Sequence, residues 1–285
     1  MASTAHSEET SWVEVAGGRL AYEITAGSSE PVLAVHGVSS HRRLWLWLHA
    51  ADPELTLVAP DLRGRGDSVD LLGPYGLGRH VEDLTAVLDA EAMGPVHVVG
   101  MSMGSFVAVE LAARHPERVR SLVLVDGGFP MTAPAGLTRE NVGAAFADRL
   151  GRLSRAWTSV DTYLDYFCTT TAPLLDRADP LLRRYAEHDL LDGRVRLAGE
   201  ALVEDVASTY FGSSPWRDLT VPVRFGYAEW GAGRDTPPAY PPESVARYAP
   251  STVETTALPG LDHAGSIMTP AGAAAVATMI RKALP

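Results

Sequence analysis

The chain has 285 residues, of which 46% are apolar and 21% charged, and its net charge at pH 7 is −11. This composition is typical of a globular protein with a sizeable core, and the negative charge argues against nucleic acid or an anionic membrane as a partner. Because the start MASTAHSEET is polar and acidic, we expect no signal peptide, and no apolar run reaches the ~20 residues that cross a bilayer, so we expect a cytoplasmic protein.

Short apolar segments alternate with helical patterns over the first half of the chain. The predicted strands are 12–15, 19–24, 31–37, 55–61, 96–100 and 119–127, and the predicted helices are 79–93 and 106–115. The first two strands form a hairpin around the Gly17-Gly18 turn. The later strands alternate with helices, which predicts right-handed crossovers and a mostly parallel sheet.

The pattern changes in the segment 130–215, which is helical in period and contains no convincing strand. The α/β alternation then resumes with strands at 221–227 and 253–258, a helix near 242–248 and a terminal helix at 273–284. We therefore predict one core domain, built from 1–129 and 216–285, with a helical insertion at 130–215.

The strongest chemical signal is the run Gly100-Met101-Ser102-Met103-Gly104. It directly follows a predicted strand and directly precedes a predicted helix. A one-residue turn between strand and helix exposes its side chain at the sheet edge, and small residues are needed on both sides because the two backbones pass close together. Although the serine could simply cap the helix, this context favours Ser102 as a nucleophile.

A serine hydroxyl needs a base to take its proton and a third group to orient that base. Among the nine histidines, His97 lies inside a predicted strand and His115 ends a helix, and most others lie on tails, loops or polar helix faces. His263 instead follows the strand 253–258, in a loop at the carboxyl end of a parallel strand, where α/β folds place function. We therefore predict that His263 is the base.

Five motifs follow one another along the chain: HGV at 36–38, DLRGRGDS at 61–68, GMSMGS at 100–105, ARHPERVRSLVLVD at 113–126 and LPGLDH at 258–263. Taken together, they resemble the α/β-hydrolase superfamily, and in particular serine esterases and lipases with a helical cap. The resemblance implies an eight-stranded, mostly parallel sheet and assigns the insertion 130–215 to the cap. It also implies an oxyanion hole formed by the backbone N–H groups of Val38 and Met103.

The acid of the expected triad is where the chain departs from the family pattern. In the family it follows the strand that corresponds to 221–227. Alignment of that turn places Glu229 at a family glutamate and Gly231 at the expected aspartate. That position is therefore empty unless a longer loop lets Asp235 replace it.

A second position for the acid is the end of the neighbouring strand, where Asp126 follows LVLV. We prefer Asp126 to Asp235, with Glu229 third, although a strand-terminal aspartate also commonly caps a turn. Asp262 is adjacent to His263 in the chain, and its side chain should diverge from the imidazole.

No pair of His, Asp or Glu residues has metal-ligand spacing on a helix, and Cys168 is the only cysteine, so we predict no metal and no cofactor. The resulting hypothesis is a serine hydrolase that cleaves a small-molecule carboxylic ester, thioester or lactone through an acyl-enzyme. Carbon–carbon bond hydrolysis or perhydrolysis at the same site, and a non-catalytic receptor with this fold, remain open alternatives.

Overall fold

A computed structural model describes residues 9–248 and 253–285. Residues 1–8, at the start of the predicted core domain, and 249–252 lie outside the described residues. The strands are β1 Ser11–Val15, β2 Gly18–Thr25, β3 Pro31–Val35, β4 Thr56–Pro60, β5 Val96–Met101, β6 Val119–Val125, β7 Leu190–Leu191, β8 Arg194–Val195, β9 Val223–Ala228 and β10 Val253–Leu258.

Eight of these strands form one sheet in the order β1-β2-β4-β3-β5-β6-β9-β10. Strand β2 runs antiparallel to both of its neighbours. From β4 to β10, all neighbouring strands are parallel. The expectation of an eight-stranded, mostly parallel α/β sheet is therefore confirmed.

Helices cover both faces of the sheet. They are α1 Leu46–Ala51, α2 Leu77–Ala90, α3 Met103–Arg114, α4 Val142–Ala145, α5 Ala147–Ser154, α6 Val160–Tyr166, α7 Pro180–Asp189, α8 Gly199–Phe211, α9 Pro242–Tyr248, α10 Gly265–Met268 and α11 Pro270–Arg281.

The central strand β5 shows how the two faces are filled. Its Val98 belongs to the same buried cluster as Leu84 of α2 and Val107 of α3, whereas the next residue, Val99, belongs to the cluster that contains Val276 of α11. Successive side chains of a strand point to opposite faces, and a strand covered on both sides is apolar throughout. The run VHVVGM is buried along its whole length for this reason.

The chain between β6 and β9 contains helices α4 to α8 and one small hairpin, β7–β8. The prediction of no convincing strand in 130–215 was therefore wrong for these four residues. Two-residue strands are too short to show alternation, but Asp192 and Gly193 between them both have positive φ, 51° and 72°. An Asp-Gly pair is itself a hairpin signal, and it was available in the sequence.

Polar contacts join this helical segment to the sheet domain. The indole N–H of Trp47 on α1 donates to Asp179 at 2.7 Å, directly before α7. Asp67 accepts from Arg42 of the core at 2.6 Å and also from Arg196, which follows β8. The helical segment is thus held against the carboxyl ends of the strands.

Among the described residues, no helix is both long and apolar enough to cross a membrane.

Candidate active site

Ser102 lies between the last residue of β5 and the first residue of α3, with φ 54° and ψ −122°. A positive φ is rare for a residue with a side chain, and such strain persists only where the surroundings enforce it. Here the Ser102 N–H donates to Val125 O of β6 at 2.8 Å, and its carbonyl accepts from the Ser105 N–H at 2.9 Å. The backbone is therefore fixed on both sides of the turn.

The glycines on either side of Ser102 are required by contact. A Cβ on Gly100 would lie 2.4 Å from the carbonyl oxygen of Gly104, and a Cβ on Gly104 would lie 2.0 Å from that of Val35. Neither distance is compatible with a side chain. The close approach of strand and helix that the G-x-S-x-G pattern predicted is thus present in the fold.

Asp126 follows the last residue of β6 and also has a positive φ, 45°. Its N–H donates to Gly226 O at 2.8 Å, and its Oδ1 accepts from the Ala228 N–H at 3.1 Å, so β9 holds both its backbone and its side chain. The side chain is only 1% exposed. Its Oδ2 lies 2.5 Å from Nδ1 of His263.

The other carboxylates considered from the sequence lie elsewhere. Glu229 is exposed and accepts from the Gly260 N–H at 2.6 Å, and Asp235 is exposed. Oδ1 of Asp262 accepts from the Gly265 N–H at 2.8 Å, at the start of α10. Of the acids weighed from the sequence, all within the described residues, Asp126 is the one in hydrogen-bonding contact with the imidazole.

The loop that carries His263 is tied to the loop after β9 through backbone atoms. The His263 N–H donates to the carbonyl of Gly231 at 2.8 Å, and the His263 carbonyl accepts from Ser266 Oγ at 2.7 Å. Gly231 is the residue that aligns with the family's usual acid. The loop after β9 thus positions the histidine with its main chain, and the side chain of Asp126 comes from the neighbouring strand.

The two backbone N–H groups expected to form an oxyanion hole lie near Ser102. Met103 is the first residue of α3, and the first N–H groups of a helix have no partner within it. The N–H of Val38 belongs to the peptide whose carbonyl is that of Gly37, and this oxygen lies 2.8 Å from Nδ1 of His36. Val38, Met103 and Ser102 line one cavity.

His36 was not singled out from the sequence except as part of the HGV motif. It is fully buried, and burial lowers its pKa to about 4. Its Nε2 accepts from the Leu62 N–H at 3.0 Å, so the single proton of the neutral ring lies on Nδ1 and is donated to Gly37 O. The imidazole therefore fixes the peptide that carries the Val38 N–H.

Arg65 was also missed, because in the sequence it looks like a turn residue. Its Nε and Nη2 donate to the Val38 carbonyl at 3.1 and 2.9 Å. Its Nη1 lies 2.7 Å from Asp205 of α8, and His80 of α2 lies 2.8 Å from the same carboxylate. Burial alone would raise the pKa of Asp205, but the neighbouring His80 and Arg65 hold it well below its usual range. The buried network thus links the Val38 loop to the helical segment.

Two cavities open on Ser102 and His263, and both are also lined by Val38 and Ala232. The large cavity has a volume of about 520 Å³ and is lined by Met103, Phe146 and Tyr210, among others. The small cavity has a volume of about 120 Å³ and includes Phe167 in its wall. The candidate nucleophile and base therefore lie between two unequal spaces.

One cluster has the residue types of a metal site. His41, Asp61 and His188 place one ligand atom each within 4.8 Å of one another. However, Arg42 forms an ion pair with Asp61, and its Nη1 lies 3.3 Å from Nε2 of His188. The guanidinium already supplies the positive charge that this carboxylate needs, so the cluster is better suited to an ion-pair network than to a cation.

An eight-stranded α/β sheet with a serine on the strained turn between β5 and α3 defines the class of hydrolase-fold proteins. A model of the alpha/beta hydrolase family matches residues 32–278. The chain therefore belongs to the alpha/beta hydrolase family, as its motifs predicted, and it is assigned to the hydrolases.

Individual relatives agree with this assignment. The chain is 40% identical over 146 residues to Lipase LipV of Mycobacterium tuberculosis (strain ATCC 25618 / H37Rv), a match that covers 47% of this chain and 55% of the lipase. The chain thus spans about half the length of this curated relative.

Two solved structures share the fold over nearly the whole chain. One, an E-2-(acetamidomethylene)succinate hydrolase, has a TM-score of 0.76 at 22% identity and covers 96% of this chain and 98% of its own. The other, the thioesterase domain from the curacin biosynthetic pathway, has a TM-score of 0.71 at 21% identity and covers 97% and 100%.

Proposed function

We propose that this protein is a serine hydrolase that cleaves a small-molecule carboxylic ester, thioester or lactone through an acyl-enzyme. The observation that carries the proposal is the contact between His263 Nδ1 and Asp126 Oδ2 at the wall of a cavity that Ser102 also lines. Along the chain the nucleophile Ser102 comes first, the orienting acid Asp126 second and the base His263 third, which is the order that this fold uses. The similarity to a protein described as a lipase supports an ester as the bond that is cleaved.

In the proposed reaction, Nε2 of His263 takes the proton of Ser102 Oγ while the oxygen attacks the substrate carbonyl. The Nδ1–H donates to Asp126, which keeps the correct tautomer and stabilises the imidazolium. Collapse of the tetrahedral intermediate breaks the bond to the leaving group, which receives the proton from His263. Water then attacks the acyl-enzyme by the same route and releases the acid.

The negative charge of each tetrahedral intermediate would be held by the N–H groups of Val38 and Met103. Such a donor contributes about 3 kcal/mol when it points at the developing oxyanion. His36 and Arg65 support this role, because they bind the carbonyls on the two sides of Val38 and so limit its movement. This support favours a Val38 N–H that is in position before the substrate binds.

The proposal is tested with a short-chain nitrophenyl ester and a fluorophosphonate probe. We expect a burst of nitrophenol, steady turnover and labelling of Ser102, all abolished by Ser102→Ala. Labelling that survives this change would place the nucleophile elsewhere. Labelling of Ser102 without turnover of esters would favour carbon–carbon hydrolysis, perhydrolysis or a receptor that binds at the same site.

A further inference from the structure

The position of Ser102 between two cavities of unequal size limits the shape of its substrate. The large and small cavities share Val38, Ser102, Ala232 and His263, so the groups on the two sides of a bound ester carbonyl would enter different spaces. The small cavity has a volume of about 120 Å³ and the large cavity about 520 Å³, so the group on one side of the carbonyl has roughly a quarter of the room of the other.

The walls of the small cavity are packed side chains. Phe167 is 4% exposed, and its ring lies 5.9 Å, centroid to centroid, from those of Tyr163 and Tyr185. Met268 of α10 and Leu44 close other sides and are 6% and 2% exposed. A longer group that extended toward these walls would have to displace several of these side chains together, and overpacking of this kind is unfavourable.

The larger part of the large cavity's surface is apolar, and part of its wall is stiff. Besides Phe146, Tyr210 and Tyr248, five prolines line it: Pro130, Pro134, Pro237, Pro238 and Pro241. Proline has a fixed φ, so these walls lose little conformational freedom when a ligand binds. The space therefore suits a long apolar group.

The charged residues that line the two cavities disfavour an anionic group on the substrate. In the part of the chain that the structure describes, neither cavity is lined by lysine or arginine. Both linings contain a buried carboxylate, Asp126 in the large cavity and Asp262 in the small one, each 1% exposed. A substrate carboxylate would lose its hydration here without gaining a cationic partner.

We propose that the substrates are uncharged esters with one short side and one long apolar side. This inference rests on the proposed function and adds the substrate class to it. Either the acyl group or the alcohol can be the short side. The essential point is that an ester with two long sides does not fit.

The size limit is tested with hexyl acetate, ethyl hexanoate and hexyl hexanoate, each kept below its solubility, by measuring kcat/KM from acid release. We expect at least one of the first two to exceed hexyl hexanoate by 100-fold or more. If hexyl hexanoate is hydrolysed as well as both of the others, the size limit is wrong and the proposed function stands. If none is hydrolysed, this inference fails, and the nitrophenyl ester and fluorophosphonate assays decide separately on the proposed function.

The charge limit is tested with two esters of nearly equal shape, hexyl isovalerate and hexyl hydrogen malonate. We expect kcat/KM for the isovalerate to be higher by about tenfold or more. A preference for the malonate would overturn this part of the inference.

A pair of variants shows which of the two cavities limits the length of the substrate. Phe167→Ala enlarges the small cavity and should raise kcat/KM for hexyl hexanoate, relative to the better substrate of hexyl acetate and ethyl hexanoate, by about tenfold. The matched change Phe146→Ala, in the large cavity, should leave this ratio unchanged. If Phe167→Ala does not fold, Phe167→Leu replaces it, with a smaller rise expected. An unchanged ratio in a folded Phe167 variant would contradict the assignment.

Discussion

Nε2 of His36 accepts a hydrogen bond from the Leu62 N–H, 26 residues further along the chain, and this contact decides which nitrogen of the ring carries the proton. The proton is left on Nδ1, where it is donated to the carbonyl of Gly37. A protonated imidazolium would carry a second N–H and could not accept from Leu62. The neutral ring is therefore part of the folded structure.

This arrangement predicts a loss of stability in mild acid. The pKa of His36 is about 4 in the folded protein, below the ordinary 6.5, so the unfolded chain binds the proton first as the pH falls. The stabilisation is complete above pH 6.5 and is lost progressively down to pH 4, by about 3 kcal/mol in total. Urea unfolding at several pH values measures this change.

His36→Asn is the control for the acid effect, because burial also lowers the pKa of His41 and other groups add to the total. At pH 7 the variant should be less stable than the parent. Between pH 7 and pH 4 the difference should narrow by about 3 kcal/mol, since the variant has no proton to take up at this position. A difference that stays constant over this range would show that His36 titrates alike in both states.

Replacement of the acid distinguishes the two aspartates that the sequence left open. Asp126→Asn removes the acceptor for the imidazole Nδ1–H and should lower kcat on a nitrophenyl ester by about 10⁴-fold without unfolding the protein. Asp235→Asn, on an exposed residue, should leave turnover unchanged. Turnover that survives the first change and is lost with the second would assign the acid to the loop after β9.

Added methyl groups test the close contact beneath the candidate nucleophile. Gly104→Ala places a Cβ 2.0 Å from Val35 O and should lower the free energy of unfolding by at least about 3 kcal/mol. Gly94→Ala is the matched control, since its Cβ would meet no atom within 4 Å and the effect should stay within about 1 kcal/mol. Equal stability of the two variants would contradict the geometry.

Arg63 and Asp83 form a buried ion pair that a double-mutant cycle can measure. Nε and Nη2 of the guanidinium each lie 2.7 Å from a carboxylate oxygen, and both side chains are at most 1% exposed. Arg63→Met or Asp83→Leu alone leaves a buried charge without its partner and should cost about 3–5 kcal/mol. The double variant should cost less than the sum by about 2 kcal/mol, whereas strict additivity would show that the two groups are uncoupled.

The candidate site residues that could be predicted from the sequence are those that a pattern of neighbouring residues marks. Ser102 stands between an apolar run and a helix, and His263 follows a strand in the last loop. Asp126 was harder to predict as the acid, because its contact with His263 joins residues 137 positions apart. The contact also depends on whether the end of β6 or the loop after β9 lies closer to the imidazole. The alignment of Gly231 with the usual acid was the useful clue.

The supporting residues could not be predicted in the same way. The role of His36 depends on the Leu62 N–H, and that of Arg65 on a carboxylate of α8, so neither leaves a local pattern. The start of α11 was placed three residues too late. The sequence contained the residues that mark a helix start: Thr269, which accepts from the Gly272 N–H, and Pro270 in the first turn.

The backbone contact between Gly231 and His263 leaves the side chains of the loop after β9 without a share in the proposed chemistry. Ala232, Pro237, Pro238 and Ala239 of this loop nevertheless line the large cavity. These wall residues are thus encoded apart from the proposed nucleophile, base and acid. A library randomised at these four codons would sample new substrate preferences while every member retained its nucleophile, base and acid.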